Sequence, residues 1–208
     1  MVLSKFRVKF NIFDGSDLEK MRRSNYRFIL LDTCFIVDRI NALPKLCSIE
    51  TIKETAKIPA ICDFVEAELK TIAYVKNNVQ KLLLTNSPRR SENNLRESWS
   101  RYLKFVESTS TIIGIVTGAL TKKELANLLN QLDRKVRKVL LKSYSGLKDK
   151  GNPVDLGLIA VAVILTSSGI PSGIATKDRR LESTVSLLER LGYDIEFWRR
   201  PWNAVNSS

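Results

Sequence analysis

Tyr26-Arg27-Phe28-Ile29-Leu30-Leu31, followed at once by Asp32-Thr33, is the stretch that decides the fold. Its apolar residues are consecutive rather than alternating, and most are good strand formers. A strand buried on both faces has this composition, and such strands belong to parallel sheets covered on both sides. Downstream, Cys34 to Ile40 reads as the start of a helix that closes near Pro44. Lys57 to Ile61 (KIPAI) is a second short strand. Asp63 follows as an N-cap with Glu66 three residues on, the capping-box spacing, and Leu69, Ile72, Ala73 and Val79 continue with a helical period. Asn152-Pro153 marks a further helix start, with Asn at the cap, Pro at the first position and Asp155 at the third. From Leu156 to Ser167 the helix is apolar all round and holds small residues, Gly157, Ala160 and Ala162. Gly173 to Thr176 (GIAT) is a strand leading to Lys177-Asp178, Leu181 to Leu191 a helix stopped by Gly192, and Tyr193 to Trp198 a last strand. Alternating strands and helices give an α/β fold, a three-layer sandwich around a mainly parallel central sheet.

The remaining segments are less regular. Residues 1 to 25 form a polar N-terminal extension in which Phe6, Val8, Phe10 and Ile12 alternate as in an edge strand or a hairpin arm. Residues 85 to 94 are a loop. Leu95 to Glu107 reads as a helix carrying Trp99, Tyr102 and Phe105, and Leu120 to Tyr144 as one long amphipathic helix. The expected organisation is a domain over 26 to 200 with a basic helical insertion over 85 to 150, and a C-terminal tail over 201 to 208.

Charge separates these parts. The chain of 208 residues carries a net charge of +12, and residues 81 to 150, with 15 Lys+Arg against 6 Asp+Glu, supply +9 of it. A polyanion such as nucleic acid is the simplest reason to concentrate basic charge in one segment; solubilising charge on exposed helices is the plainer alternative. The chain has no histidine. That excludes Ser-His-Asp and Cys-His nucleophile systems and HExxH zinc hydrolases. Cys34, Cys47 and Cys62 are odd in number and lack CxxC spacing, so a disulfide framework and a structural zinc site are not expected. Leu156 to Leu165, the longest apolar run, is too short to span a bilayer, and Met1 to Phe10 lacks the apolar core of a signal peptide. The expectation is an intracellular, cytoplasmic protein with no membrane partner.

Acids fall at corresponding places. The first strand ends in Asp32 and the GIAT strand leads to Asp178, while two helix starts bring Asp63, Glu66 and Glu68 on one and Asp155 on the other. In a parallel sheet these ends meet at one edge. Singly, Asp155 or Asp178 is explained as a helix-start acid stabilised by the dipole. Together, close carboxylates repel one another, and a cation relieves that repulsion. Carboxylates without histidine or thiolate suit Mg²⁺ or Mn²⁺, which can activate water for hydrolysis of a phosphodiester.

The four acid-bearing segments resemble the PIN-domain nucleases. LLDTCFIV is similar to that family's first strand with its Asp-Thr/Ser pair, and ICDFVEAEL to its second acid segment. GNPVDLGLIAVAVIL is similar to the third, and GIATKDRRLES to the fourth, a strand followed by Thr-x-Asp. The resemblance covers 26 to 70 and 150 to 198, and the 87 positions between Glu68 and Asp155 exceed what the small toxin-type members have there. It implies a metal-dependent endoribonuclease with Asp32, Glu68, Asp155 and Asp178 as catalytic metal ligands for Mg²⁺ or Mn²⁺. Thr33 and Thr176 become hydroxyl partners, and the products carry 5′-phosphate and 3′-hydroxyl ends. Glu66 lies about 200° round the helix from Glu68, so only one of them faces the cleft, and Glu66 is assigned the cap. RNA is the implied substrate, with DNA as an alternative, and a homodimer and a protein inhibitor (antitoxin) are the partners the family brings. Within the insertion, Arg89, Arg90, Arg96, Arg101 and Lys104 stand near Trp99 and Tyr102, a mixture suited to phosphates and stacked bases, with core packing as the competing role of the aromatics.

Three other readings compete. One is a non-catalytic nucleic-acid-binding protein on the same fold. Another is a structure-specific nuclease acting on branched DNA. The third, a receiver-like signalling domain, requires two adjacent acids after the first strand, where this chain has Asp-Thr. Phe197, Trp198, Arg199, Arg200 and Trp202 mix rings with charge, and packing on a helix explains them.

Overall fold

A computed structural model describes residues 9–11, 19, 21–39, 42–69, 113–116, 122–145 and 153–199. The first central strand, Arg27–Leu31, is buried from Phe28 onward, as its unbroken apolar run requires. The elements in chain order are β1 (Lys9–Asn11), β2 (Arg27–Leu31), α1 (Thr33–Arg39), α2 (Leu43–Leu46), α3 (Ile49–Thr55) and β3 (Lys57–Cys62). A helix α4 over 63–69 follows directly. Then come β4 (Ile113–Val116), α5 (Lys122–Asn130), α6 (Arg134–Ser145), α7 (Pro153–Ser167), β5 (Ser172–Ala175), α8 (Arg179–Glu189) and β6 (Ile195–Trp198).

The six strands among the described residues join one sheet in the order β1-β4-β3-β2-β5-β6, and every neighbouring pair is parallel. The fold is therefore α/β on a parallel sheet. Beyond β2 the chain first moves outward through β3 and β4, then returns to the other side of β2 for β5 and β6. Right-handed crossovers running in opposite directions put helices on opposite faces. The packing agrees: α7 lies against β5, α5 and α8, and α8 lies against β6 and α6, while α3 lies against β3. This arrangement is compatible with three layers.

Two close approaches hold the sheet together. A Cβ on Gly173 would stand 2.8 Å from both the Glu196 carbonyl and Ile29 Cδ1, so a larger residue there would have to push β5 and β6 apart. Helix α7 buries eleven of its fifteen residues, Asp155 among them, which is why its sequence is apolar on every side.

Several expectations are corrected. The single helix expected over Leu120 to Tyr144 is two, broken at 131–133. Asp133 Oδ1 accepts the Lys135 amide at 2.7 Å and so starts α6 afresh. The segment 85 to 150, expected to be helical, contributes the strand β4 to the sheet. Lys9–Asn11 pairs with β4 at the edge of the sheet, which agrees with the edge strand, one of the two readings of the alternation around Phe10, and makes this part of the extension a member of the sheet. Pro44 lies in the first turn of α2 rather than closing α1. Helix α3, capped by Ser48 through the Thr51 amide at 3.1 Å, had no counterpart among the expected elements. Asn152, Leu95 to Glu107 and the tail 201 to 208 lie outside the described residues. Among the described residues no helix is long and apolar enough to cross a membrane.

Candidate functional site

The strand order reverses between β2 and β5, and open α/β sheets bind ligands at the carboxyl ends of the strands at such a point. Asp32 sits there, one residue past β2. Its amide donates to Ala175 O at 3.0 Å, carrying the ladder between β2 and β5 one step further, and its carbonyl accepts the Ile36 amide at 3.0 Å, starting α1. Its side chain is thereby pinned between strand and helix, and it is buried.

A compact hydrogen-bond network orients that carboxylate. Thr176, the residue after β5, donates from Oγ1 to Asp32 Oδ2 at 2.6 Å and accepts the Asp178 amide at 3.0 Å. Cys34 Sγ donates to the same Oδ2 at 2.8 Å, lies 3.3 Å from Thr176 Oγ1 and accepts the Lys177 amide at 3.3 Å. Cys34 is exposed as a residue, yet its sulfur turns inward to the acid. On the other flank, Thr33 Oγ1 donates to Glu68 Oε2 at 2.5 Å, tying the first turn of α1 to α4. Asp178 caps α8 through Oδ1, which accepts the Arg180 amide at 2.7 Å.

Electrostatics tie these groups to the fourth acid. Burial pushes Asp155 up to about 7, the negative charges of Asp32, Asp178 and Glu68 push the same way, and Arg180 partly offsets them. Asp32 is raised by its own burial; the bonds from Cys34 and Thr176 oppose that, and the charge of Glu68 adds to it. The Cys34 thiol is pushed up to about 12 by burial and by the charge and hydrogen bond of Asp32. It therefore stays protonated at neutral pH and serves as a donor, not as a thiolate nucleophile.

Asp32, Glu68, Asp155, Asp178, Thr33 and Thr176 are thus brought together from four separate stretches of chain. Glu68, half-buried, faces Thr33. Glu66 is buried and is not among the charges acting on Asp155. The expected cap differs in detail: α4 begins at Asp63 itself, whose Oδ1 accepts the next amide, that of Phe64, at 3.0 Å. Arg89, Arg90, Arg96, Arg101 and Lys104, with Trp99 and Tyr102, lie outside the described residues.

The donors are all oxygen, from carboxylates and hydroxyls, which suits Mg²⁺ or Mn²⁺ by chemical type. Among the described residues no three carboxylates or thiols are gathered to ligand spacing. The acids share one field without being drawn together around a point.

Sequence reasoning missed Cys34, Lys177 and Arg180. Lys177 forms an ion pair with Asp38 of α1, bridging the loop after β5 to the helix after β2. The available signal was position: Cys34 lies two residues past Asp32 in the first turn of a helix, and Lys177 and Arg180 flank Asp178. At the far edge, Trp198 is buried under Lys57, whose Nζ lies 4.6 Å from the ring centroid, which agrees with a packing role. No family model, curated protein or solved structure matches the chain.

Proposed function

We propose that the chain is a metal-dependent endoribonuclease of the PIN-domain type, with Asp32, Glu68, Asp155 and Asp178 as its acidic site and the segment 85 to 150 as an elaboration of that fold. The observation that carries this reading is electrostatic. At the switch point of a parallel sheet, the charges of Asp32, Asp178 and Glu68 add to burial in holding Asp155 near 7, and the charge of Glu68 also raises Asp32. A protein seldom keeps such mutual repulsion without a use for it, and perturbed acids gathered at a strand edge are the ordinary mark of a reactive site. The absence of histidine supports it further, since carboxylate sites hydrolyse phosphodiesters without a protein nucleophile.

Mg²⁺ or Mn²⁺ held by these four acids would supply the Lewis acidity that activates water and neutralises phosphate charge. The chain's own residues do the rest. Thr176 and Cys34 fix the orientation of Asp32, Thr33 does the same for Glu68, and capping of α8 restrains Asp178. Arg180 brings positive charge that partly offsets the acids, so a phosphate approaching them meets less repulsion, while Lys177 is engaged with Asp38 and ties the loop after β5 to α1.

End-labelled RNA and branched or single-stranded DNA, each incubated with Mn²⁺, Mg²⁺ or EDTA, test the reading. It expects cleavage of RNA with either ion, none in EDTA, and 5′-phosphate products. Cleavage that persists in EDTA contradicts the carboxylate-metal chemistry. Cleavage confined to branched DNA moves the assignment to a structure-specific DNA nuclease. Binding without cleavage of any substrate leaves a nucleic-acid-binding protein.

A further inference from the structure

Helix α6 carries Arg134, Lys135, Arg137, Lys138 and Lys142 and no acidic residue. Val136 and Leu140 are buried, so its apolar face is already used against the protein. Arg134, Lys138 and Lys142 are exposed and recur every four residues, which stacks them in one row along about 12 Å of helix. Like charges four apart on a helix destabilise it. The row borders a shallow groove of about 630 Å³ lined by Arg134, Arg137, Lys138, Leu141 and Lys142. At its base, Arg137 is held in place: its guanidinium donates to Asn130 Oδ1 at 2.9 Å and to the Leu132 carbonyl at 3.4 Å. A repeated row of cations beside a fixed guanidinium, kept despite its self-repulsion, is matched by a ligand that repeats negative charge at short intervals.

We infer that this groove on α6 binds the phosphate backbone of a nucleic-acid strand. An anionic membrane fits less well, because a helix lying on lipid presents a broad apolar face, whereas Val136 and Leu140 of α6 are buried against the protein and, among the described residues of the helix, Leu141 alone is an exposed large apolar side chain among basic ones. The groove also connects with the acidic site. Helix α6 packs on α8, whose first turn begins at Asp178 and carries the exposed Arg179 and Arg180. A strand held along α6 is thereby anchored to the same helical layer as the acids, by contacts that carry no sequence information. The inference extends the nuclease reading, but it concerns binding alone and does not need cleavage.

The experiment is equilibrium binding of a labelled single-stranded RNA in EDTA over a range of salt concentrations. The proteins are wild type, Arg134→Gln/Lys138→Gln, and Lys135→Gln, which removes a charge from the same helix outside the groove. Melting temperatures show that all three are folded. The double variant is expected to bind about tenfold or more weakly at low salt. Its slope of log affinity against log salt is expected to fall by about 1.4, two contacts at about 0.7 each, with Lys135→Gln close to wild type. A loss per removed charge that is the same in both variants, about half as much for Lys135→Gln as for the double variant, reduces the effect to net charge and overturns the inference, as does unchanged binding in the double variant. Phosphatidylserine vesicles or polyglutamate bound through Arg134 and Lys138, with RNA binding at wild-type strength, overturn it too. If the double variant binds normally while wild type cleaves RNA with Mn²⁺, this inference fails and the nuclease reading stands. Binding lost in the double variant, with no cleavage by wild type, gives the reverse.

Discussion

Asp155 and its neighbours make the first predictions. Its carboxyl titrates near 3.8 when unfolded and near 7 in the fold, chiefly through burial, so the folded protein holds a proton that the unfolded chain releases. Below pH 3.8 both states are protonated and the penalty is absent. It grows as pH rises and is complete above 7, with an upper limit of about 4 kcal/mol. Without divalent ions, the melting temperature should therefore fall from pH 5 to pH 8, and Asp155→Asn should flatten that fall. A wild-type protein that is no less stable at pH 8 than at pH 5 would show that Asp155 is not held as described. Thr176 is a second test. Thr176→Val removes the donor to Asp32 Oδ2 and the acceptor of the Asp178 amide together, at an expected cost of about 1–3 kcal/mol by denaturant titration, whereas Thr176→Ser keeps both. The acids were legible in the sequence because each follows a strand or opens a helix. Cys34 was not, because a thiol matters here only as a donor to the nearby Asp32, and its contacts with Thr176 and Lys177 form only once β2 and β5 lie side by side.

At the scale of elements, legibility followed burial. Strand β2 and helix α7 stand close to where their apolar runs put them, since burial on every side leaves an unbroken hydrophobic signature, whereas β5, though fully buried, is marked only by small residues around Ile174. The break between α5 and α6 was missed because the apolar spacing runs on through Leu128, Leu129, Leu132 and Val136, and all four are buried. There a cap overrides periodicity: Asp133 restarts the helix, and Asp133→Ala should lower stability by about 1 kcal/mol. Strand β4 does carry a strand signature, the β-branched run from Thr111 to Thr117 interrupted only by Gly114, but it is short and stands in a long basic segment read as helical. Gly173→Ala tests the sheet itself. Its Cβ would meet the Glu196 carbonyl of the paired strand, so separating β5 from β6 should cost about 1–3 kcal/mol, measured as a lowered melting temperature. A variant as stable as wild type would mean that the two strands are not packed this closely.

Over the whole molecule, two features of opposite sign are set on one framework. Asp32 lies where the strand order reverses and shares an electrostatic field with Asp155, Asp178 and Glu68, and the described basic groove lies on a helix packed against the one that Asp178 begins. The basic excess was legible as composition, and Arg134, Lys135, Arg137, Lys138 and Lys142 as the charge of an amphipathic helix, but the groove beside them was not, because it depends on how Val136 and Leu140 pack against the rest of the protein. The charge pattern and the reversal of strand order together suit a protein that grips a polyanion and acts on it at a carboxylate centre. The most direct test is the initial rate of RNA cleavage in Mn²⁺ by wild type and by Asp32→Asn, each checked for folding by its melting curve. A direct carboxylate ligand should matter at least as much as an outer partner, so the account predicts a loss of about a hundredfold or more for Asp32→Asn. Cleavage by Asp32→Asn at the wild-type rate would contradict it.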